Sequence, residues 1–475
     1  MQPRLQELFA ERFGAPPSEV AELRAHGSDR KLWRLRAADG RTAIGVENPD
    51  HGENAAFIGF TSHFRGSGLP MPEIYAEDRA AGLYLEEDLG DTTLFELLNR
   101  ERGDAADVPD SVARVYEKTV RLLPRIQIEA GRGIDYALCY PREAFDRRSM
   151  MWDLNYFKYY FLKLAGVPAH EQMLENDFDA LCGFLLQADR EHFLYRDFQS
   201  RNVMVRDGEP WFIDYQGGRK GALHYDLASI LLDAKANLPF EFRDRMRQVY
   251  LEAAAEIAPV DAKKFDRHYR GFALIRILQA MGAYGFRGFY ERKAHFLQSV
   301  PYAIRNLEHL LQQGELPVPL PALWDALHKI VRSTRLREIA PVPLTLTVRV
   351  TSFSYKGGYP PDETGHGGGF VFDCRSLPNP GREAQFVRMT GRDADCAAWL
   401  AARPEVVRFI EQSRALVMPA VEIYRERNFT HLSVAFGCTG GQHRSVWCAE
   451  RLAESLRAAG VRVDLRHRDM PDFTP

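Results

Sequence analysis

The strongest chemical signal in this chain lies in FLYRDFQSRNVMVRDGEPWFIDYQ, residues 193–216. Asp197 follows an apolar run. Asn202 comes five residues later, and Asp214 closes a second apolar run, Trp211-Phe212-Ile213. Between them, Arg206-Asp207-Gly208-Glu209-Pro210 has turn composition, so the pattern predicts short strands with these residues on the flanking loops. One carboxylate, one amide and one carboxylate in that order suit ATP-dependent phosphoryl transfer. The first carboxylate orients an acceptor hydroxyl and takes its proton. The amide and the second carboxylate hold Mg²⁺, which neutralises the phosphates. A polar hairpin that carries two aspartates by chance is the bland alternative. Spacing, residue types and strand context together argue against it.

Such a site needs a cover for the phosphates and a hinge for the adenine. Exposed backbone N–H groups of a glycine-containing turn serve as a cover. His26-Gly27-Ser28-Asp29-Arg30 stands before a strand and fits, with Gly27, Ser28 and Arg30 as candidate nucleotide contacts. Leu85-Glu86-Glu87-Asp88-Leu89-Gly90 suits the hinge, with Glu86 and Asp88 in it.

The elements that must position these residues follow from periodicity. Leu32–Leu35 and Thr42–Val46 have strand composition around the turn Ala38-Asp39-Gly40. A helix is expected around 53–66, then a strand at Leu83-Tyr84-Leu85. Residues 91–330 are mainly helical by apolar spacing. Within them, residues 151–161 are unusually aromatic. They suit either a core helix or the wall of an acceptor pocket, since sugars stack on aromatic faces. Residues 331–343, basic and then proline-punctuated, read as a linker. Beyond it come strands at 344–350, 370–373 and 432–436, with a glycine-rich turn in 365–369. Helices are expected over about 395–427 and 446–459, and the alternation implies an α/β domain with a partly parallel sheet.

Residues 1–330 resemble the aminoglycoside phosphotransferase family, small-molecule kinases of the protein-kinase-like fold. YRDFQSRN (195–202), FIDYQ (212–216) and LHYDLASIL (223–231) carry the resemblance and are closest to an amino-sugar kinase subgroup. The resemblance implies Asp197 as catalytic base, with Arg196 and Gln199 on its loop, and Asn202 and Asp214 as metal ligands. It implies a sugar acceptor, with the anomeric hydroxyl as the subgroup's target. Asp226 is expected to cap its helix or brace the loop. Kinases of this fold pair a strand lysine with the phosphates. Here the strand Thr42–Glu47 has no lysine, so either Arg30, Lys31 or Arg34 substitutes or the cation is absent.

A second centre is Gly437-Cys438-Thr439-Gly440-Gly441-Gln442-His443-Arg444-Ser445, between a strand and a helix. Its backbone N–H groups and helix N-terminus suit an anion. Cys438 and Arg444 stand in the C-x5-R spacing of a thiol phosphatase. FDCRSLPNP (372–380), GCTGGQHRS (437–445) and RHRD (466–469) instead resemble the RapZ C-terminal domain. That resemblance implies a bound sugar phosphate of the glucosamine-6-phosphate type, surrounded by Asp373, Arg375, Cys438, Thr439, Gly440, Gly441, Gln442, His443 and Arg444. Arg466, His467 and Arg468 would complete the pocket or face a partner. RNA stays open as a partner, and the near balance of acidic and basic residues in this domain argues against it.

Composition narrows the class. The 475 residues exceed one core, 45% are hydrophobic and 27% charged, as in soluble globular proteins. The net charge of -3 argues against a chain dominated by nucleic-acid binding. The six cysteines form no CxxC pair, the N-terminal stretch reads as an amphipathic helix, and no apolar run reaches a membrane span. A cytoplasmic location fits. The expected architecture is α/β and α+β multidomain: a bilobal kinase-like fold (lobes 1–90 and 91–330), the linker 331–343, and a small α/β domain at 344–475. The expected function is an ATP- and Mg²⁺-dependent sugar kinase with a sugar-phosphate-sensing domain. The alternatives are a RapZ-type RNA- or protein-binding adapter with a regulatory kinase-like half, or a Cys438-dependent phosphatase.

Overall fold

Alternating apolar residues between turn signals build the first sheet. In the computed structural model it contains β1 (Glu19–Leu23), β2 (Lys31–Arg36), β3 (Thr42–Glu47), β4 (Ile74–Asp78) and β5 (Leu83–Glu87). The strands are antiparallel, in the order β1-β2-β3-β5-β4. The structure describes residues 3–23, 30–103, 107–340, 345–361, 369–426 and 429–471. The turn between β2 and β3 falls where expected, and Gly40 takes φ +89, open to glycine at no steric cost. Helix α1 (Pro3–Phe13) buries Leu5, Leu8 and Phe9 with Trp33, Leu35, Leu83 and Leu85. Helix α2 (His51–Gly66) starts at Asp50, whose carboxylate accepts the Glu53 N–H as an N-cap. It sends Phe57, Phe60 and Phe64 into a second cluster with Val46 and Tyr84.

That cluster continues through α3 (Leu94–Arg102), α4 (Asp110–Pro124), α7 (His224–Leu231), α8 (Phe240–Ile257) and Phe265 of α9 (Ala262–Gly285); α5 (Arg147–Tyr156) and α6 (Glu171–Leu185) complete the helical part. In α4 the buried Val112, Val115, Tyr116, Thr119, Val120 and Leu123 follow the helical repeat that sequence periodicity reports. Two small antiparallel ribbons lie among the helices. One joins β6 (His192–Leu194) to β9 (Arg219–Gly221), the other β7 (Val203–Arg206) to β8 (Glu209–Phe212). Asp207 and Gly208 link β7 to β8 with φ of +55 and +75, the two positive values a tight hairpin turn demands. The aromatic segment 151–161 is core in part. Leu154, Phe157 and Phe161 are core, whereas Trp152 and Tyr159 are exposed.

The chain forms two compact units. One is Met1–Tyr159 with Glu171–Gly282 and Leu316–Leu320. The other is Tyr160–His170 with Ala283–Glu315 and Pro321–Pro475. The second unit contains α10 (Ala294–Leu297), α11 (Val300–Gln312), α12 (Pro321–Arg332) and α13 (Thr334–Arg337). The linker expected over 331–343 is therefore helical through Arg337 among its described residues. The basic side chains that suggested a solvated linker are taken up inside the unit. Arg337 is fully buried and pairs with Glu308 at 3.2 Å, and Arg335 donates to the Ala165 carbonyl.

After it come β10 (Thr347–Ser354), β11 (Gly369–Asp373), α14 (Ala394–Ala401), α15 (Pro404–Glu426), β12 (His431–Cys438), α16 (Arg444–Ala458) and β13 (Arg462–His467). The sheet is parallel throughout, in the order β11-β12-β10-β13. The single helix expected over 395–427 is two helices. Pro404 starts the second, because proline lacks the N–H that a continuous helix needs and suits a first helical position. The glycine-rich turn falls outside the described residues apart from Gly369. No helix among the described residues is long and apolar enough to cross a membrane.

Candidate active site

In the first unit, β6 delivers Tyr195, Arg196 and Asp197 to a loop held from behind. Asp226 on α7 accepts the Tyr195 N–H (2.8 Å), the Arg196 N–H (3.0 Å) and the Gln127 side chain (2.7 Å). Asp226 thus braces the loop. Burial raises its carboxyl to about 6, against those three hydrogen bonds, which favour the anion. Arg196 has φ +81 and Asp214 φ +69, left-handed backbone at two non-glycine residues. Such strain persists where the surroundings over-determine it, and it clusters at functional loops.

The Arg196 guanidinium is locked. It makes two hydrogen bonds to Asp153 on α5, at 2.6 and 2.8 Å, and one to the Tyr225 hydroxyl at 2.6 Å. The rings of Phe145 and Tyr225 each lie 5.1 Å from it. Arg196 is therefore a positioning residue for the loop. Gln199 enters through its backbone: its N–H bonds the Asp197 carbonyl at 2.9 Å, and its carbonyl accepts the Asn202 N–H at 2.9 Å.

Asn202 ties the three expected residues together. Its amide nitrogen donates to the Asp197 carbonyl (2.8 Å) and to Asp214 Oδ2 (3.1 Å). Asp214 Oδ1 accepts the Gln216 side chain at 2.7 Å and Arg30 Nη1 at 3.4 Å. Arg30 Nη2 donates to Glu53 on α2 at 2.9 Å. Of the three cations considered in place of a strand lysine, Arg30 is the one joined to Asp214. Lys31 pairs with Glu47, and Arg34 pairs with Asp88 and Asp91. Asp88 is engaged by that ion pair. Glu86 follows Tyr84 on the same face of β5, and burial pushes its carboxyl up to about 8 despite nearby Arg30. Gly27 and Ser28 lie outside the described residues.

The Asp197 carboxyl is raised, first by burial and then by the neighbouring Asp214 charge. Arg196, Arg276 and Arg219 oppose the rise. Glu53, Gln216 and Asp153 carried no role in the sequence reading. Glu53 had a local signal, the Asp50-x-x-Glu53 start of α2. Asp153 was hidden among aromatic neighbours.

In the second unit, β10, β11 and β12 end together at the loop Thr439–His443. The connection leaving β10 passes over β12 to β11, and the one leaving β12 passes over β10 to β13. Paired Ser354 and Cys438 thus mark a switch point, where open α/β sheets bind ligands. Thr439 and Gly440 are exposed. Asp373 and Arg375 form an exposed ion pair at 2.6 Å, with Arg375 over the Tyr355 ring. Gln442, His443 and Arg444 turn inward. Gln442 donates to the Val387 and Met389 carbonyls, and His443 Nε2 lies 2.9 Å from the Phe386 carbonyl. Arg444 Nη1 donates to the carbonyls of Arg375 and Leu377, each at 3.0 Å. Burial raises the Cys438 thiol. The Ser445 hydroxyl at 3.1 Å, the N–H groups of Ser445 and Gly441, and Arg444 outweigh it and bring the thiol below its usual range. His467 contacts Ser352 and Glu450, while Arg468 pairs with Asp469 and Arg466 with Asp464.

Known proteins resemble separate parts of the chain. The RNase adapter protein RapZ of Escherichia coli is 36% identical over 169 residues, 36% of this chain and 57% of that protein. A nucleotide-binding protein of Ruegeria pomeroyi is 42% identical over 134 residues, 27% of this chain and 45% of that protein. The chain spans about half the length of the curated relatives it matches. Among solved structures, an amicoumacin kinase in complex with AMP-PNP and Ca²⁺ superposes with a TM-score of 0.45 at 14% identity, over 68% of this chain and 97% of that one. A choline kinase from Cryptosporidium parvum gives a TM-score of 0.44 at 12% identity, over 64% of this chain and 92% of that one. Residues 346–471 match the RapZ C-terminal domain. Residues 20–267, just over half of the 475, contain Asp197, Asn202 and Asp214 with the groups that hold them, and match the phosphotransferase enzyme family, to which the chain belongs.

Proposed function

We propose that the first unit is an ATP- and Mg²⁺-dependent kinase that phosphorylates a hydroxyl of an amino sugar or related hexose. The Asn202 amide carries this reading, because it joins the backbone of the candidate base Asp197 to the carboxylate of Asp214. Asp197 would accept the acceptor's proton. Asp214 and the Asn202 amide oxygen are hard donors from two adjoining loops and would hold Mg²⁺, which neutralises phosphate charge. Arg30, oriented by Glu53, would supply the cation that a strand lysine supplies elsewhere. Full-length protein should consume ATP with at least one member of a sugar panel, with phosphorus NMR identifying the product. Asp214→Ala should abolish Mg²⁺-dependent nucleotide binding in a titration with ADP. Unchanged metal-dependent binding would remove Asp214 from the metal site.

We infer that residues 346–471 sense a sugar phosphate, with glucosamine-6-phosphate the first candidate. Support comes from the switch point in strand order, from the exposed residues Thr439 and Gly440 after β12, and from the exposed Arg375 after β11. Calorimetry on the full chain should detect binding. Arg375→Ala should weaken it by about 1.5–3 kcal/mol, the worth of a hydrogen bond to a charged group. No binding of any hexose phosphate would end the sensor reading, and a gel shift with small RNAs would then test the adapter. The lowered Cys438 thiol favours a phosphatase as the second reading, against the inward turn of Arg444. Hydrolysis of p-nitrophenyl phosphate that Cys438→Ser eliminates would establish it.

A further inference from the structure

Three arginines act electrostatically on Asp197, and among the described residues only Arg196 has a carboxylate at ion-pair distance. Arg196 is neutralised by Asp153. Arg219, on β9, is 7% exposed. It donates Nε to the Gly217 carbonyl at 3.0 Å and Nη2 to the Tyr140 carbonyl at 3.5 Å. Arg276, on α9, is also 7% exposed. It donates Nε to Ser229 at 2.8 Å and Nη1 to the Gln279 side-chain oxygen at 2.8 Å. Each of these four acceptors is a neutral oxygen. Among the described residues, no carboxylate oxygen lies within the 4.0 Å of an ion pair from either guanidinium. Asp226 has both oxygens engaged by the Tyr195 and Arg196 N–H groups and by Gln127.

A guanidinium cannot shed its proton, so burial without a counter-charge is costly. Buried charges are as a rule paired, and here, among the described residues, two guanidinium groups have no anion at ion-pair distance. Both act on Asp197, which would receive the acceptor hydroxyl. Gly217, whose carbonyl holds Arg219, stands next to that carboxylate: a Cβ built on it would lie 3.7 Å from Asp197 Oδ2. Arg219 is therefore anchored beside the carboxylate that would receive the acceptor hydroxyl.

On the kinase reading above, we propose that the acceptor carries an anionic group, carboxylate or phosphate, which docks on Arg219 and Arg276 beside the hydroxyl presented to Asp197. The site thereby selects sugar acids or sugar phosphates over their neutral or cationic counterparts. An amino sugar is accepted when it bears such a group.

The test compares matched acceptors with the full chain by calorimetry, without nucleotide: glucose, glucuronate and glucose-6-phosphate. At least one anionic member should bind more tightly than glucose. Whether it is glucuronate or glucose-6-phosphate assigns the anion. Arg219→Gln and Arg276→Gln should each weaken that binding by about 10- to 100-fold, the range for one charge-assisted hydrogen bond, and narrow its margin over glucose. Arg219→Lys, which keeps the charge, should lose less. Because the second unit is a candidate sugar-phosphate site, tight binding that neither arginine variant alters places the anion elsewhere and overturns the proposal. So does binding of glucose as tight as that of both anions, or no binding of either anion. Should either variant fail to fold, wild-type protein still decides: raising salt must weaken the anionic acceptor and spare glucose. Phosphate transfer from ATP is read separately by phosphorus NMR. Anions that bind through Arg219 and Arg276 but are never phosphorylated leave the anion site standing and remove the kinase reading.

Discussion

Asp197→Asn lowers turnover by about two to four powers of ten, the range for losing a general base. The substitution keeps the shape of the side chain and leaves the loop's supports in place. Those supports are the Asn202 amide on the Asp197 carbonyl and Asp226 on the two preceding N–H groups. Nucleotide affinity, set by the metal ligands and Arg30, should therefore change by no more than about twofold, so the loss falls in kcat rather than in binding. Burial and the Asp214 charge raise the Asp197 carboxyl, which makes it a better proton acceptor than an ordinary aspartate. Steady-state ATP turnover with a saturating acceptor, beside an ADP titration, measures both quantities. Near-normal turnover would remove Asp197 from the base role. Equal losses of turnover and ADP affinity would make it a scaffold for the nucleotide site.

Much of this site was legible because its parts lie close together in sequence. Asp197, Asn202 and Asp214 sit within one strand–turn–strand segment, where local turn chemistry fixes their geometry. The tight turn at Asp207-Gly208 and the strands around it formed as their residue types require. Of the missed partners, Gln216 lies two residues from Asp214, and the others come from separate elements of the chain. Glu53 reaches Arg30 from α2, Asp153 reaches Arg196 from α5, and Arg276 comes from α9. Each is a charged residue on a helix, where a solvated face is the ordinary expectation and only tertiary packing reveals another role. The C-terminal loop failed differently. Its glycines and strand–helix context predict a loop between a strand and a helix, and β12 and α16 flank it as expected. The side chains of Gln442, His443 and Arg444 nevertheless satisfy backbone carbonyls of a neighbouring segment, which no local pattern encodes.

Glu308→Ala should destabilise the second unit by about 3–5 kcal/mol, because it removes one partner of a buried ion pair. Glu308 and Arg337 are 1% and 0% exposed and lie 3.2 Å apart. The Thr430 hydroxyl donates to Glu308, Gln312 bonds His431 at 3.1 Å, and Arg337 lies over the Phe429 ring. Helix α11 and the segment after α12 are thereby fastened to the start of β12, whose carboxyl end carries Cys438. The basic stretch that resembles a linker is thus an internal brace. Chemical denaturation of the full chain, followed by the tryptophans of this unit (Trp324, Trp399 and Trp447), reads the effect. A loss under about 1 kcal/mol, the scale of an exposed pair, would show that the contact contributes nothing as a buried ion pair. The double variant Glu308→Leu with Arg337→Met should recover most of the loss, since apolar side chains of similar volume can replace a buried pair at little cost. A fragment beginning at residue 341 lacks both partners of this contact. It should therefore unfold at lower denaturant than the same sheet in the intact chain. Equal midpoints would mean that α11 and α13 contribute nothing to the sheet and that the domain begins where its sequence likeness does, at residue 346.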